Sequence, residues 1–156
     1  MGTVYFVCIG NTCRSPMAAE LFNQKLTYSG LNDVRAESFG LSPFYSDSGK
    51  VKRLREMAVL KMTGRINGLK EHKPRGIENI SFREDDKIAL LDASSIGDLL
   101  SAIDRKPSFM GKHVPIVIID IDDPFGGGLE DYLACCSELE KAIEGSLNLL
   151  IGEMCV

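Results

Sequence analysis

The stretch from Cys8 to Pro16, which reads Cys-Ile-Gly-Asn-Thr-Cys-Arg-Ser-Pro, most constrains how this chain folds. It follows a β-rich apolar run at residues 3–8 and precedes a helical pattern of apolar residues at 17–26. A thiol therefore lies at the end of a strand, in a loop that leads into a helix N-terminus. Unpaired N–H groups and the helix dipole both favour negative charge at such a position. The sequence predicts a phosphate-binding loop that contains its own nucleophile.

Strand and helix patterns alternate along the rest of the chain. Further strands are predicted at 34–38, 87–91 and 114–119, and further helices at 51–62, 94–103 and 129–151. Helices between strands require crossover connections, so we predict an α/β fold. Its expected form is three α/β/α layers around a four-stranded parallel sheet, in one domain over residues 1–156. The last helix is expected to bury one apolar face, formed by Leu129, Tyr132, Leu133, Cys136, Leu139, Ile143 and Leu147.

Each position of the loop suits a separate chemical task. Gly10 and Asn11 tolerate backbone angles that let the loop curl around an anion. The planar guanidinium of Arg14 suits two phosphoryl oxygens, and Ser15 can donate to a thiolate while capping the helix. Alternatively, Cys8 is a buried cysteine at a strand end and Arg14 is a surface residue. The combination of residues around them favours the phosphate loop.

A phosphocysteine mechanism also needs an acid to protonate the leaving group. Asp120, Asp122 and Asp123 lie between the last strand and the last helix, and the carboxyl ends of parallel strands share one edge of a sheet. Asp123 is favoured because Pro124 stiffens the chain after it and Phe125 offers a flat apolar wall. The alternative is that the three carboxylates form a solvated turn.

Composition and charge exclude several other function classes. The net charge of −4 and the lack of a dense basic cluster argue against nucleic-acid binding, and no apolar run has membrane-spanning length. Five cysteines without regular spacing, and two distant histidines, indicate neither a disulfide framework nor a metal site. The chain starts almost directly in a strand, which leaves no room for a signal peptide. We therefore expect a cytoplasmic protein without metal or cofactor.

Residues 7–16 and 123–126 resemble the signature loop and the general-acid loop of the low-molecular-weight protein tyrosine phosphatases. Weaker likenesses are Ser38-Phe39-Gly40, His72-x-x-Arg75-x-Ile77 and Leu91-Asp92, so the resemblance spans nearly the whole chain. It implies hydrolysis of phosphotyrosine, in a phosphorylated protein or a small phosphomonoester, through a phosphocysteine on Cys8. Asp123 would act first as acid and then as base.

The same resemblance implies roles for further residues. The phosphate-binding residues would be Ile9, Gly10, Asn11, Thr12, Cys13, Arg14 and Ser15. The residues that support the loop would be Asn11, Ser15, Ser38 and His72. The substrate wall would consist of Thr12, Phe44, Tyr45 and Phe125. Cys13 would either form a reversible disulfide with Cys8 under oxidation or simply fill space, and the segment at 65–78 is longer than the family pattern.

Thr12 leaves two substrates possible, phosphotyrosine and phosphoarginine. The related protein-arginine phosphatases resemble this chain in having threonine there, together with a Pro-Phe-Gly-Gly acid loop; phosphotyrosine is favoured as the broader class. An arsenate reductase would need resolving cysteines, and residues 85–101 contain none. A phosphate-binding module without turnover is disfavoured because both Cys8 and Asp123 are present. The oligomeric state is left open.

Overall fold

Four parallel strands form a sheet at the centre of the protein, in a computed structural model that describes residues 2–43, 49–62 and 68–152. In chain order they are β1 (Gly2–Cys8), β2 (Val34–Gly40), β3 (Lys87–Leu90) and β4 (Ile116–Ile118). Their spatial order is β2-β1-β3-β4, and every neighbouring pair is parallel. The helices are α1 (Arg14–Tyr28), α2 (Gly49–Lys61), α3 (Ile96–Arg105), α4 (Leu129–Gly145) and α5 (Leu147–Ile151). The predicted α/β fold is confirmed.

Strand β1 is buried along its whole length because helices cover both faces of the sheet. Val4 and Phe6 belong to a core that includes residues of α1, α2 and α4. Tyr5 and Val7 belong to a second core, which includes Leu99 of α3. Successive strand side chains point to opposite faces, so these two cores are the two interfaces of a three-layer arrangement. Within the described ranges, none of the helices combines the length and apolar character needed to cross a membrane.

Strand β2 runs to Gly40 rather than ending at residue 38, and it pairs Gly40 with Cys8 at the carboxyl edge of the sheet. The Gly40 N–H donates to the Arg75 carbonyl at 2.9 Å, and an isolated bridge joins Gly40 to Gly76. The predicted loop at 65–81 contains two short 3₁₀ turns, Gly68–Glu71 and Ile77–Asn79. The pairing of Gly40 with residues 75 and 76 holds the chain around Arg75 beside the phosphate loop.

Helix α1 begins at Arg14, earlier than the predicted range 17–26. Cys13 occupies the N-cap position without a side-chain cap, so the prediction that Ser15 caps this helix is wrong. The Ser15 hydroxyl instead faces Cys8, at 2.9 Å from its sulfur. Pro16 lies in the first turn, where its missing N–H leaves no helical hydrogen bond unmade.

Strand β4 is shorter than the predicted range 114–119. It lies at the edge of the sheet with β3 as its one neighbour, and Ile118 is half exposed. Pro115 precedes it and has no N–H to donate. Its partner β3 has only four residues and ends at Leu90, opposite Ile118, so the ladder that β4 joins is short.

The predicted helix 129–151 is two helices, because the chain breaks at Ser146 between α4 and α5. Gly145 and Ser146 are poorer helix formers than the residues around them. Leu129 was expected on the buried face but is largely exposed, since it is the first residue of α4. The rest of the predicted face is buried or partly buried, and Cys135 is buried beside it.

Candidate active site

The loop between β1 and α1 holds the Cys8 thiol at the start of a helix. Cys8 is only 3% exposed, and its sulfur lies 2.9 Å from the Ser15 hydroxyl oxygen. Asn11 adopts a left-handed conformation with φ of 55°, which turns the loop back on itself. Asparagine tolerates this region better than most residues. The local sequence thus explains both the curl of the loop and the position of the sulfur.

The Asn11 side chain connects the loop to two other segments. Its Nδ2 donates to the hydroxyls of Ser15 at 2.8 Å and Ser38 at 3.0 Å, and its Oδ1 accepts from the Arg75 backbone N–H at 3.0 Å. Because an amide nitrogen only donates, the Ser15 oxygen accepts this bond and keeps its own proton for the Cys8 sulfur. The Asn11 network therefore leaves the Ser15 proton free to be donated to Cys8 when its sulfur is a thiolate.

His72 supports the same residue from outside the loop. Its Nε2 lies 2.7 Å from the Asn11 carbonyl oxygen, so Nε2 is the protonated nitrogen. Burial lowers the pKa of His72, and the hydrogen bond to Asn11 opposes this effect. The positive charges of Arg55 and Arg75 lower the pKa further. The imidazole is therefore neutral near pH 7. It donates to the loop without adding positive charge.

Arg75 and Gly40 complete this support. The Arg75 guanidinium donates to the Ser38 carbonyl at 2.9 Å and pairs with Glu37 at 2.9 Å. A Cβ added to Gly40 would lie 2.6 Å from the Ile9 carbonyl oxygen and 3.0 Å from the Asn11 nitrogen. Only glycine lets the end of β2 approach the loop this closely.

Arg14 is the cation of the site. It is 4% exposed, and its Nη1 donates to the Ile121 carbonyl at 2.9 Å. Its Nη2 lies 3.4 Å from the Asp123 carboxylate and 3.7 Å from that of Asp92. A buried guanidinium held in this way has a fixed orientation, which suits an anion with several oxygens.

Of the three carboxylates expected at this edge, Asp123 is the one that faces Arg14. Its Oδ1 accepts from the Phe125 N–H at 3.0 Å, and half of its side chain is exposed. Asp120 instead accepts from the Ala93 N–H at 3.0 Å, and Asp122 is exposed. The Asp123 carboxylate can therefore reach both water and a group bound at Arg14.

Cys8, Arg14 and Asp123 surround a pocket of about 110 Å³. It is lined by Cys8, Ile9, Gly10, Thr12, Cys13, Arg14, Leu54, Asp123, Phe125 and Tyr132. A second pocket of about 240 Å³ lies behind the loop, against His72 and Ser38, and does not contain Cys8, Arg14 or Asp123. The smaller pocket is therefore where the predicted nucleophile, the Arg14 cation and the predicted acid meet.

The sequence-predicted residues fall into four groups in this geometry. The loop residues Ile9, Gly10, Thr12, Cys13 and Arg14 line the pocket together with Phe125. Asn11 and Ser15 do not line it; they are fully buried and hydrogen-bonded to each other. Ser38 and His72 contact Asn11 from behind the loop. Phe44 and Tyr45 lie outside the described residues. Leu54 and Tyr132 line the pocket without having been predicted there; the apolar periodicity of their helices indicated burial but not a place in the site.

The Cys13 thiol is hydrogen-bonded to that of Cys135 in α4. Its pKa is raised well above the ordinary value, first by a hydrogen bond with Cys135 and then by burial. At neutral pH its thiol therefore stays protonated, and it does not compete with Cys8 as a nucleophile. Cys8 and Cys13 are free thiols, so the disulfide between these two residues stays a prediction. Within the described part of the chain, no group of side chains has the composition of a metal site.

Comparison with known proteins identifies relatives over nearly the full chain. The protein is 33% identical to a low molecular weight protein-tyrosine-phosphatase of Streptomyces coelicolor, over 92% of this chain and 90% of that one. It is 32% identical to a protein-arginine-phosphatase of Geobacillus stearothermophilus, over 90% of both chains. The crystal structure of a low molecular weight protein tyrosine phosphatase from T. tengcongensis superimposes with a TM-score of 0.72 at 27% identity. That match covers 96% of this chain and all of the other.

The family model for low molecular weight phosphotyrosine protein phosphatases matches residues 3–153. That range includes the Cys8 loop, the Asp123 loop and all four strands of the sheet except Gly2. The chain belongs to the low molecular weight phosphotyrosine protein phosphatase family.

Proposed function

We propose that this protein hydrolyses phosphotyrosine in phosphorylated proteins or small phosphomonoesters, through a phosphocysteine on Cys8. The observation that carries the proposal is the meeting of three groups in one pocket. The Cys8 sulfur, the Arg14 guanidinium and the Asp123 carboxylate all line it. A nucleophile, an anion-binding cation and a proton donor are the groups that phosphomonoester hydrolysis through a covalent intermediate requires.

In the first step the Cys8 thiolate attacks phosphorus. A sulfur–phosphorus bond forms as the bond from phosphorus to the phenolic oxygen breaks. Asp123, protonated, gives its proton to that oxygen, so tyrosine leaves as a neutral phenol. Arg14 and the N–H groups of residues 9–15 bind the phosphoryl oxygens, on which negative charge is concentrated.

In the second step water attacks the phosphocysteine. The Asp123 carboxylate takes a proton from the water, a phosphorus–oxygen bond forms and the sulfur–phosphorus bond breaks. Inorganic phosphate and the Cys8 thiolate are released, and Asp123 is again protonated. Ser15 supports both steps because its hydroxyl, 2.9 Å from the sulfur, donates to the thiolate as attacking and leaving group.

The second candidate substrate is phosphoarginine, which the buried Thr12 in the wall of the pocket favours. A hydroxyl can contact a polar guanidinium leaving group, whereas an aliphatic residue would contact an aromatic ring better. The chemistry at Cys8 would be unchanged, and Asp123 would protonate a nitrogen rather than an oxygen. We further propose a cytoplasmic location and a single catalytic domain, since reduced Cys8 is required and one pocket contains all three groups.

The test compares two peptides that differ only in carrying phosphotyrosine or phosphoarginine. Wild type is expected to have the higher kcat/KM with phosphotyrosine, and Cys8→Ser is expected to be inactive with both. Thr12→Ile should lower activity on phosphoarginine relative to phosphotyrosine, while Thr27→Ile, an exposed threonine of α1, serves as the matched control. Turnover by Cys8→Ser equal to that of wild type would exclude the mechanism. A higher kcat/KM with phosphoarginine would reverse the choice of substrate.

A further inference from the structure

Tyr132 places a phenol beside the catalytic groups that the mechanism above does not use. It lies in the first turns of α4, is 0% exposed and lines the pocket that contains Cys8 and Asp123. Its hydroxyl oxygen is buried and makes no hydrogen bond within the described part of the chain. Buried polar groups without partners are rare, and one in an active site calls for a functional explanation.

The phenol is suited to donate a hydrogen bond. Burial, followed by the nearby Cys13, Asp123 and Cys135, raises the pKa of Tyr132 to about 12, while Arg53 opposes them. The hydroxyl therefore keeps its proton throughout the neutral range. A donor that is desolvated in advance forms a strong bond with any carboxylate that reaches it.

Asp123 needs such a donor once substrate is bound. In the free protein its carboxylate lies 3.4 Å from Arg14 Nη2 and accepts from the Phe125 N–H. A phosphoryl group in the loop takes the Arg14 N–H groups for its own oxygens. Asp123 then loses its cation and faces an anion, yet it must stay close enough to deprotonate water.

We propose that Tyr132 is a positioning residue for Asp123. When a phosphoryl group occupies Arg14, the Tyr132 hydroxyl donates to the Asp123 carboxylate and holds it in place for the attack of water on the phosphocysteine. This inference rests on the proposed function, and it assigns the unused phenol to the second chemical step. Arg14 thus exchanges the Asp123 carboxylate for the phosphoryl group, and the Tyr132 hydroxyl replaces Arg14 as the partner of Asp123.

The experiment measures the formation and decay of phosphocysteine directly, by rapid acid quench with p-nitrophenyl phosphate. Nitrophenolate leaves without a proton, so the first step does not depend on Asp123. Tyr132→Phe is expected to form phosphocysteine at the wild-type rate and to hydrolyse it about tenfold more slowly. The affinity for inorganic phosphate should be unchanged. Tyr5→Phe, at a buried tyrosine in the other core, is the matched control and should change neither step.

A double-mutant cycle tests whether the effect acts through Asp123. In an Asp123→Asn background, Tyr132→Phe is expected to have no further effect on the decay of phosphocysteine. Equal decay rates in wild type and Tyr132→Phe would overturn the inference. So would a Tyr132→Phe variant in which both steps slow equally, or one that slows the decay of phosphocysteine by the same factor in the Asp123→Asn background as in wild type. Unfolding of Tyr132→Phe would also overturn it, because the structure gives the hydroxyl no bond to lose. If wild type forms no phosphocysteine, the proposed function fails instead.

Discussion

The Asn11 amide donates to the Ser15 hydroxyl at 2.8 Å, and this leaves the Ser15 proton to be donated to the Cys8 thiolate. Asn11 is itself held by three segments: its own loop, the end of β2 through Ser38, and the chain at residues 72–75. The orientation of one proton at the nucleophile thus depends on contacts from distant parts of the sequence.

Removing the donor to the nucleophile should slow catalysis without loss of the fold. Ser15→Ala loses a hydrogen bond to a charged acceptor, which is worth about 1.5–3 kcal/mol, so kcat/KM is expected to fall by about 10- to 100-fold. The rate at which iodoacetate alkylates Cys8 should fall as well. Ser108→Ala is the matched control, since Ser108 bonds to the Ile80 carbonyl at 3.3 Å away from the site. Unchanged kinetics in Ser15→Ala would contradict the assigned proton direction.

Asn11→Ala should lower both stability and activity. It loses three side-chain hydrogen bonds and places alanine at a φ of 55°, so we expect a loss of about 3 kcal/mol in the free energy of unfolding. Asn23→Ala is the control, because Asn23 makes two bonds to Ala36 away from the pocket. Urea denaturation should find both variants destabilised, and only Asn11→Ala should lose kcat/KM. A similar loss of activity in both would mean that stability alone is responsible.

Alanine substitutions at two glycines are expected to have opposite effects on stability, because only Gly40 lies where β2 closely approaches the loop. In Gly40→Ala the new methyl would lie 2.6 Å from the Ile9 carbonyl oxygen, so the backbone must move, at a cost of about 1–3 kcal/mol. Gly97→Ala, in α3, meets no atom within 4 Å and should stabilise by up to about 1 kcal/mol. Thermal unfolding and kcat/KM measured on both variants check this. Full activity in Gly40→Ala would refute the steric argument.

The neutral His72 predicts a pH dependence of stability. Its pKa is lowered in the folded state, so below the unfolded value of about 6.5 the unfolded chain binds more protons than the folded one. The free energy of unfolding contributed by His72 therefore falls as pH drops below 6.5 and is constant above it. His72→Gln should have a flatter profile between pH 5 and 7, and His113→Gln, at an exposed histidine, should match wild type. Parallel profiles for His72→Gln and wild type would contradict this.

What the sequence could predict was mostly local. The strand, loop and helix around Cys8 are contiguous, and parallel topology brings the chain near Asp123 to the same edge, so both could be inferred. The cap assigned to Ser15 was wrong because a tertiary bond to Cys8 outweighs a local preference. The extent of β4 was wrong because it is limited by the short partner strand β3, which the residues of β4 do not indicate.

Contacts across long sequence separations needed the structure. Spacing alone does not bring His72 or Arg75 to Asn11, and only the resemblance to a family suggested His72. Tyr132 was predicted as part of a buried helix face, which is correct, but periodicity cannot distinguish a core position from one beneath a pocket. The unpaired hydroxyl became visible only when its surroundings were known.

The site has a buried half and an exposed half, and this division affects how such a protein can diverge. Cys8, Asn11 and Arg14 lie among buried hydrogen bonds, so few substitutions there leave the loop intact. Asp123 and Phe125 lie in an exposed loop, where the backbone is less constrained by packing. Under the proposed mechanism, substitutions in that loop would change which leaving group fits without changing the loop that binds the phosphoryl group. Descendants of one ancestor can therefore acquire new substrates while inheriting the same reaction.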